Sequence, residues 1–176
     1  MRSRSTQALA EAGMMIALAV LLSNFKIFRM PQGGSVTAGS MIPILIVALR
    51  WGPRTGLLTG AAYGAIRYMM GGYVIHPIQG LLDYPIAFGL LGLAGLFRRQ
   101  PVAGVGAGLL GRFAAHLTAG AVFFGEYAPA GQSPWVYSAI YNSGYLGAEL
   151  VISAVIVWLL AQSGALRAAL PGGGPT

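Results

Sequence analysis

The chain has 176 residues, of which 56% are hydrophobic and only 9% are charged, and its formal net charge is +7. Soluble domains carry about 25% charged residues, so this composition excludes an ordinary cytosolic enzyme and a disordered protein. The 11 basic residues are scattered between apolar runs and form no stripe, which argues against nucleic-acid binding. Cysteine is absent, which excludes disulfides and thiolate metal sites.

Apolar segments follow one another along the chain and predict an all-α integral membrane protein. A membrane-spanning helix needs about 20 mostly apolar residues. Six segments qualify, at residues 6–25, 36–50, 54–72, 80–97, 102–125 and 135–161. The second is the weakest, because Pro43 lies inside it and proline kinks a helix interior. We expect one six-helix domain over residues 1–170 and a flexible Gly/Pro-rich tail over 171–176.

The basic residues predict the orientation of these helices. The N-terminus has the basic start of a signal peptide, but no small-residue cleavage site follows, so we interpret it as the first helix. With the N-terminus inside, seven arginines fall on one side: Arg2, Arg4, Arg50, Arg54, Arg98, Arg99 and Arg167. Only Lys26 and Arg29 fall in loops on the other side. Because Lys and Arg concentrate in cytoplasmic loops, both termini are predicted to be cytoplasmic.

Ionisable residues inside apolar segments are costly, so each one is a candidate functional residue. All four acids lie in or at the ends of these segments: Glu11, Asp83, Glu126 and Glu149. A rise of 1.5 Å per residue places polar groups from three helices at similar depth in the outer half: Asp83, His116, Tyr137 and Asn142. This convergence predicts a polar cavity open to the outside.

Two charged residues lie deeper, near the expected midplane. Arg112 and Glu149 fall at nearly equal depth on helices 5 and 6. An ion pair joining the two helices is the simpler interpretation, since charges in membranes usually pair. The alternative is that Arg112 gates or binds an anion.

Aromatic residues accompany the predicted cavity: Tyr73, Tyr84, Phe123, Phe124, Tyr137, Tyr141 and Tyr145. Each taken singly is equally well explained as part of an interfacial aromatic belt. Together with a carboxylate, they also suit a flat organic cation through charge pairing and cation–π contact. His76, before Pro77, is expected to be a loop residue, and two separate histidines predict no metal site.

Small residues recur at helical spacing in three places. Gly56, Gly60 and Gly64 in helix 3, and the Gly89–Gly95 series in helix 4, predict close packing within the bundle. On helix 1 the small faces Ala8/Ala12 and Gly13/Ala17 could instead receive another subunit.

The sequence contains no HExxH, no GxSxG and no Gly-rich phosphate-binding loop. We therefore expect a protein that is not an enzyme and does not itself use ATP. A facilitator, an ion-coupled carrier and the binding subunit of a larger transporter remain open on these grounds.

Long runs of the chain resemble one family over essentially its whole length. HPIQGLLDYPIAF at 76–88 and RFAAHLTAGAVFFGEYAPAGQSPWVYSAIYN at 112–142 resemble the thiamine-specific substrate-binding subunit (S component) of energy-coupling-factor (ECF) vitamin transporters. GGSVTAGSMIPILIVALRWGPRTGLLTG at 33–60 fits the second and third helices of that family.

The resemblance implies a multi-pass protein of a prokaryotic cell (plasma) membrane that binds thiamine, vitamin B1, from outside with high affinity. Its implied partners are a transmembrane coupling subunit and two cytosolic ATPase subunits, which hydrolyse ATP to drive uptake, with this chain a monomer within the complex. No cofactor and no metal are implied for the chain itself. The coupling-subunit contact would be the small-residue face of helix 1, at Ala12, Gly13, Ile16 and Ala17.

By motif position, the resemblance implies that seven residues bind thiamine: Tyr73, Asp83, Tyr84, His116, Phe124, Tyr137 and Asn142. Some members carry Glu at the position of Asp83, and some carry Trp at that of Phe124. The family also uses an aromatic lid in the first outer loop, for which Phe28 is the candidate. With a cationic ligand bound, His116 is expected to be neutral, because a second positive charge would repel it.

Other functions remain as alternatives. The same architecture could serve a thiamine precursor such as the pyrimidine moiety, or another vitamin, because small pocket changes shift recognition. A membrane enzyme using Asp83 and His116 as acid and base would need an oriented nucleophile or metal. A purely structural membrane protein would not need the costly polar groups of the outer half.

Overall fold

The computed structural model describes residues 4–31 and 33–163. These residues form a bundle of helices and one hairpin: α1 (Arg4–Ser23), β1 (Lys26–Arg29), β2 (Ser35–Thr37), α2 (Ile42–Trp51), α3 (Pro53–Met69), α4 (Pro77–Phe97), α5 (Pro101–Phe123) and α6 (Pro134–Gln162). A short 3₁₀ turn, Gly125–Tyr127, follows α5. The predicted tail at 171–176 lies outside the described residues, as do Arg2 and Arg167.

The all-α prediction is confirmed apart from the small hairpin. In the part of the chain that the structure describes, α1, α4, α5 and α6 are long and apolar enough to cross a membrane. The helix α3 has 17 residues and α2 only 10, against the roughly 20 that a full crossing needs. The chain is therefore a multi-pass membrane protein.

The predicted second segment, 36–50, was wrong at its start. Residues 35–37 form a strand that pairs antiparallel with β1, and α2 begins only at Ile42. Gly39, at φ +88°, makes the turn between strand and helix. Pro43 then lies in the first turn of α2, where its missing N–H has no intrahelical partner to lose. The proline marks a helix start and not a kinked interior.

The helix α4 changes its winding three times. An α-helical turn (Pro77–Leu81) leads into a π-helical turn (Leu82–Ile86), then an α turn (Ala87–Leu90) and a 3₁₀ stretch (Leu91–Phe97). Pro85 lies in the π-helical turn, and proline supplies no N–H to the helix ladder. Single π turns interrupt helices mostly at functional sites, and this one contains Asp83 and Tyr84.

The predicted glycine packing is confirmed between α3 and α4. A Cβ at Gly60 would overlap the backbone of Phe88, and one at Gly92 would overlap the backbone of Leu57. Only glycine lets these backbones approach so closely. The buried core of α2, α3, α4 and α5 continues from this contact and includes Leu45, Leu49, Tyr63, Leu91 and Val105.

The helix α1 is the least buried of the four long helices. Of the predicted coupling face, Gly13 and Ala17 are exposed, whereas Ala12 is buried and Ile16 packs partly on the core. The outward face of α1 is apolar, with Leu9, Met14, Leu18 and Leu21 exposed. Glu11 forms a salt bridge with Arg50, 3.2 Å between Oε2 and Nη1, which ties α1 to the end of α2.

Candidate functional site

A cavity of about 380 Å³ opens between the β1–β2 hairpin and the facing ends of α3, α4, α5 and α6. All seven residues assigned to ligand binding by resemblance line it: Tyr73, Asp83, Tyr84, His116, Phe124, Tyr137 and Asn142. The convergence predicted from helix depth is therefore present in the structure. Its size lies in the range of small-molecule sites, about 300–1,000 Å³.

Asp83 is held by two side chains from different helices. Gln79, one turn earlier on α4, donates from Nε2 to Asp83 Oδ2 at 2.6 Å. His116 of α5 lies with Nδ1 2.7 Å from Asp83 Oδ1. Gln79 is itself anchored through its hydrogen bonds to the backbone at Tyr73 and Ile75. The carboxylate is thus fixed in orientation at the cavity wall.

His116 lies between an acceptor and a donor. Arg112, one turn earlier on α5, donates from Nε to His116 Nε2 at 3.1 Å. A ring nitrogen that accepts a hydrogen bond carries no proton, so Nδ1 carries it and donates to Asp83. The two contacts are satisfied by the neutral imidazole. That His116 is neutral with a cationic ligand bound stays a prediction.

The predicted ion pair between Arg112 and Glu149 is not formed. Arg112 places its guanidinium 4.1 Å from the centre of the Phe88 ring and also contacts the sulfur of Met41. Glu149 Oε1 accepts instead from the backbone N–H of Thr37 at 2.6 Å and from its hydroxyl at 2.8 Å. The hairpin, which the sequence prediction missed, supplies the partner of this buried carboxylate.

Asn142 is fixed by its own helix and by α5. Its Nδ2 donates to the carbonyl of Ser138 at 2.9 Å, and its Oδ1 accepts from the hydroxyl of Tyr145 at 2.9 Å. Ser138 in turn donates to the carbonyl of Leu117 at 2.9 Å. These bonds set the direction of the amide at the cavity wall, and Asn142 is almost fully buried.

Aromatic rings cover much of the remaining wall. Tyr73 and Phe124 stack with ring centres 6.0 Å apart, and Tyr137 and Tyr141 lie 6.3 Å apart. Tyr141 also accepts a hydrogen bond from the backbone N–H of Gly34 at 3.3 Å, which holds the hairpin loop against α6. For these residues the cavity position outweighs the interfacial belt interpretation.

Several lining residues were not predicted as site residues. The basic side chains Lys26, Arg29 and Arg67 face the cavity, as do Phe88 and Ser138. Gln79 does not line the cavity, but it holds Asp83 and was also not predicted; its position four residues before Asp83 on the same helix is typical of such a hydrogen bond. The lid candidate Phe28 is exposed and is not part of the lining, whereas Met30, Pro31, Gly33 and Gly34 of the hairpin loop do line the cavity.

His76 has a local structural role. Its Nδ1 accepts from the backbone N–H of Ile78 at 3.2 Å and caps the start of α4, and its ring stacks on Phe123 at 5.0 Å. Among the described residues, His, Asp and Glu side chains form no group of three that could hold a metal ion.

The chemistry of the cavity wall around Asp83 suits a flat, polar, partly cationic molecule. This part offers one oriented carboxylate, a neutral imidazole, a fixed amide and several aromatic faces, whereas the basic side chains of Lys26, Arg29 and Arg67 line the part beside the hairpin and the end of α3. Aromatic faces attract cations by their quadrupole, and fixed donors and acceptors select the orientation of a heterocycle.

Comparison with known proteins places the chain in one family. The model of the family described as "Thiamine transporter protein (Thia_YuaJ)" matches residues 9–167. The thiamine transporter ThiT of Bacillus subtilis (strain 168) is 38% identical over 178 aligned residues, covering 90% of this chain and 92% of that protein. ThiT of Lacticaseibacillus paracasei is 36% identical over 140 residues, covering 68% of this chain and 70% of that protein.

A solved structure shows the same fold. ThiT from Listeria monocytogenes superposes with a TM-score of 0.85 at 22% sequence identity, covering 96% of this chain and all of that one. The family model and the Bacillus relative extend over nearly all of the helices described above, and the role of the family is transport and not catalysis. The chain is therefore a multi-pass prokaryotic membrane protein that belongs to the thiamine transporter (Thia_YuaJ) family.

Proposed function

We propose that the chain is the thiamine-binding S component of an ECF-type transporter and captures thiamine in the cavity from the outer side. The observation that carries the proposal is the oriented Asp83–His116 pair, 2.7 Å apart, in a cavity lined with aromatic rings. Thiamine joins a permanently cationic thiazolium to an aminopyrimidine. The Asp83 carboxylate balances the positive charge or accepts from the exocyclic amine, and the aromatic faces hold the two flat rings.

The other wall residues give direction to this binding. The Asn142 amide and the Tyr137 hydroxyl supply hydrogen bonds at the edge of a ring. Phe124 supplies a stacking face, though a smaller one than the Trp that some members carry there. A neutral His116 adds no positive charge beside the thiazolium, while its bond to Asp83 keeps the carboxylate in place.

Titration with thiamine tests the proposal. The purified chain is titrated in detergent by calorimetry, beside Asp83→Asn and Asn142→Ala. We expect nanomolar binding to the parent chain and a loss of at least about 100-fold in Asp83→Asn, because a buried charge-assisted contact contributes about 3 kcal/mol. Glu126→Gln is the matched control, since Glu126 is exposed and does not line the cavity.

The outcomes separate the ligand from the site. No heat with thiamine, at concentrations where the chain remains folded, would contradict the proposal. Binding that survives in both cavity variants would place the ligand elsewhere. If the chain binds the isolated pyrimidine moiety or another vitamin and does not bind thiamine, the assignment moves to that ligand. Asp83 is shorter than the Glu that some members carry at this position, which leaves space in the cavity for a different ligand.

We also propose that the chain binds a transmembrane coupling subunit through α1, and that two cytosolic ATPases power uptake. The exposed pair Gly13 and Ala17 lies within an apolar outward face and supports this docking. Gly13→Leu adds bulk where a Cβ would touch nothing within 4 Å, so the isolated chain should keep its fold and its thiamine affinity. We expect co-purification with the coupling subunit and ATP-driven uptake to fall together; unchanged uptake would contradict the assignment.

We propose further that the chain crosses the membrane six times and that both of its termini lie in the cytoplasm. Arg50, Arg54, Arg98 and Arg99 lie around the helix ends opposite the cavity, and the side chain of Arg98 donates to the carbonyl of Leu49. Because the chain has no cysteine, single cysteines at Arg99 and Gly131 report the side directly. We expect an impermeant maleimide to label Gly131→Cys in intact cells and to spare Arg99→Cys; the reverse pattern would invert the topology.

A further inference from the structure

The cavity carries more positive charge than a thiamine cation can use. Four cationic side chains line it, Lys26, Arg29, Arg67 and Arg112, against one carboxylate, that of Asp83. Asp83 is already bound by Gln79 and His116, and Arg112 by His116 and the ring of Phe88. The three other cations are Lys26, Arg29 and Arg67. None of them takes part in either of the two salt bridges among the described residues.

A bulge in β1 turns two of these cations to the same side of the hairpin. Lys26 pairs with Thr37 and Phe28 with Val36, so strand β1 advances two residues where β2 advances one. The extra residue shifts the alternation of side chains along the bulged strand. Lys26 and Arg29 therefore stand opposite Thr37 and Ser35, which are two apart and share a face.

The third cation comes from a separate helix and lies near the first two. Arg67 is in the last turn of α3 and lines the same cavity. The pKa of the Lys26 ammonium is lowered, first by partial burial and then by the positive charges of Arg29 and Arg67, which places the three groups within electrostatic reach. Arg29 is exposed and Lys26 and Arg67 are partly exposed, whereas His116 is buried, so the three cations lie on the solvent side of the cavity.

Such an arrangement is unfavourable without an anion. Three like charges repel one another, and they also repel a thiazolium entering past them. A phosphate group carries about −1.5 to −2 charges at pH 7 and accepts several charge-assisted hydrogen bonds. A single phosphate between the hairpin and α3 would neutralise the group.

We propose that Lys26, Arg29 and Arg67 form a phosphate-binding subsite at the solvent side of the cavity, which takes the phosphate of a phosphorylated ligand such as thiamine monophosphate. This inference rests on the proposed function: the heterocycles occupy the Asp83–His116 end, and the phosphorylated hydroxyethyl group points to the hairpin. The subsite then raises the affinity for the phosphate ester relative to that for the free vitamin.

The test compares two ligands in one protein. Dissociation constants for thiamine and thiamine monophosphate are measured by calorimetry in the parent chain and in Arg29→Gln, Arg67→Gln and the triple variant with Lys26→Gln. We expect the phosphate ester to bind the parent chain at least as tightly as thiamine at low salt. Each neutralised cation should weaken the ester relative to thiamine by about tenfold, since a charged hydrogen bond contributes about 1.5 kcal/mol.

Three controls make the result specific. Arg54→Gln and Arg99→Gln remove exposed basic residues outside the cavity and should leave the ratio of the two constants unchanged. Arg29→Lys should restore most of the ester binding lost in Arg29→Gln. Raising the ionic strength should weaken binding of the ester more than binding of thiamine.

The outcomes are distinguishable from those of the proposed function. Failure to bind thiamine at all would remove the proposed function. Thiamine binding with a ratio that does not change in the triple variant would overturn only the subsite. Competition by anionic lipid, seen as weaker ester binding in anionic than in neutral nanodiscs, would assign the cations to lipid headgroups and overturn the subsite as well.

Discussion

The two halves of the bundle are built from different kinds of contact. In the half away from the cavity, glycines bring α3 and α4 backbone to backbone, and the core around them is mostly aliphatic. In the cavity half, aromatic and polar side chains from α4, α5 and α6 form the wall, and several of them bond to one another. The helix α4 joins both: its π turn carries Asp83 in one half, and Gly92 and Gly95 pack in the other.

This difference shows how a small membrane protein can contain a polar cavity. Buried polar groups in a bilayer are costly and provide little net packing, so the cavity half contributes little to holding the bundle together. In the other half, close packing of the helix backbones holds the bundle together through van der Waals contact. We therefore expect changes in the packed half to affect stability and changes in the cavity half to affect binding.

The largest expected effect is on stability, from a methyl group in the packed half. In Gly92→Ala the new Cβ would overlap the backbone of Leu57, so α3 and α4 must separate. We expect a loss of about 3 kcal/mol, seen as a lower thermal unfolding temperature in detergent. In the matched control Gly106→Ala, the Cβ meets nothing within 4 Å. Equal stability of the two variants would break the contrast between the halves.

A second effect should appear where the hairpin joins the bundle. Glu149→Ala removes the acceptor of two hydrogen bonds from Thr37 and leaves its backbone N–H unsatisfied, at about 2 kcal/mol. Because this strand carries part of the cavity wall, we expect thiamine affinity to fall about tenfold, measured by calorimetry. Glu149→Gln keeps an acceptor oxygen and should retain most of the affinity; a loss as large as that of Glu149→Ala would contradict this account.

The smallest effect should come from one hydroxyl in the cavity half. Tyr145→Phe removes the hydrogen bond to Asn142 Oδ1 and keeps the ring. We expect the unfolding temperature to change little and thiamine affinity to fall by roughly fivefold, about 1 kcal/mol. A marked drop in unfolding temperature with unchanged affinity would show that Tyr145 supports the fold and not the site.

The sequence predicted the helices better than the connections between them. Long apolar runs with small residues at fixed spacing determine where helices lie and pack, and α1, α5 and α6 agree with their predicted spans within two residues or so. The hairpin was missed because residues 26–35 were interpreted as a loop and Val36 and Thr37 as the start of the following helix. The position of Pro43 could have indicated a later helix start, since proline is favoured in the first turn.

For the site, counting residues along helices was enough to bring Asp83, His116 and Asn142 together, because helix rise fixes depth. It was not enough to pair Arg112 and Glu149 correctly. Two residues at equal depth on neighbouring helices need not face each other, and depth does not show which contacts a hairpin adds. In the structure, Thr37 of the hairpin binds Glu149. Lys26 and Arg29 lie on the same face of the hairpin because of a single bulge in β1. The sequence gives no sign of this bulge, since residues three apart on a regular strand face opposite sides.

The central claim is that thiamine binds inside the cavity at the Asp83–His116 pair, and the structure of the purified chain with thiamine tests it most directly. We expect density for the ligand between α4, α5 and α6, with a thiamine nitrogen or its thiazolium ring within about 4 Å of the Asp83 carboxylate. Thiamine bound at any other surface, or an empty cavity at saturating thiamine, would contradict the account.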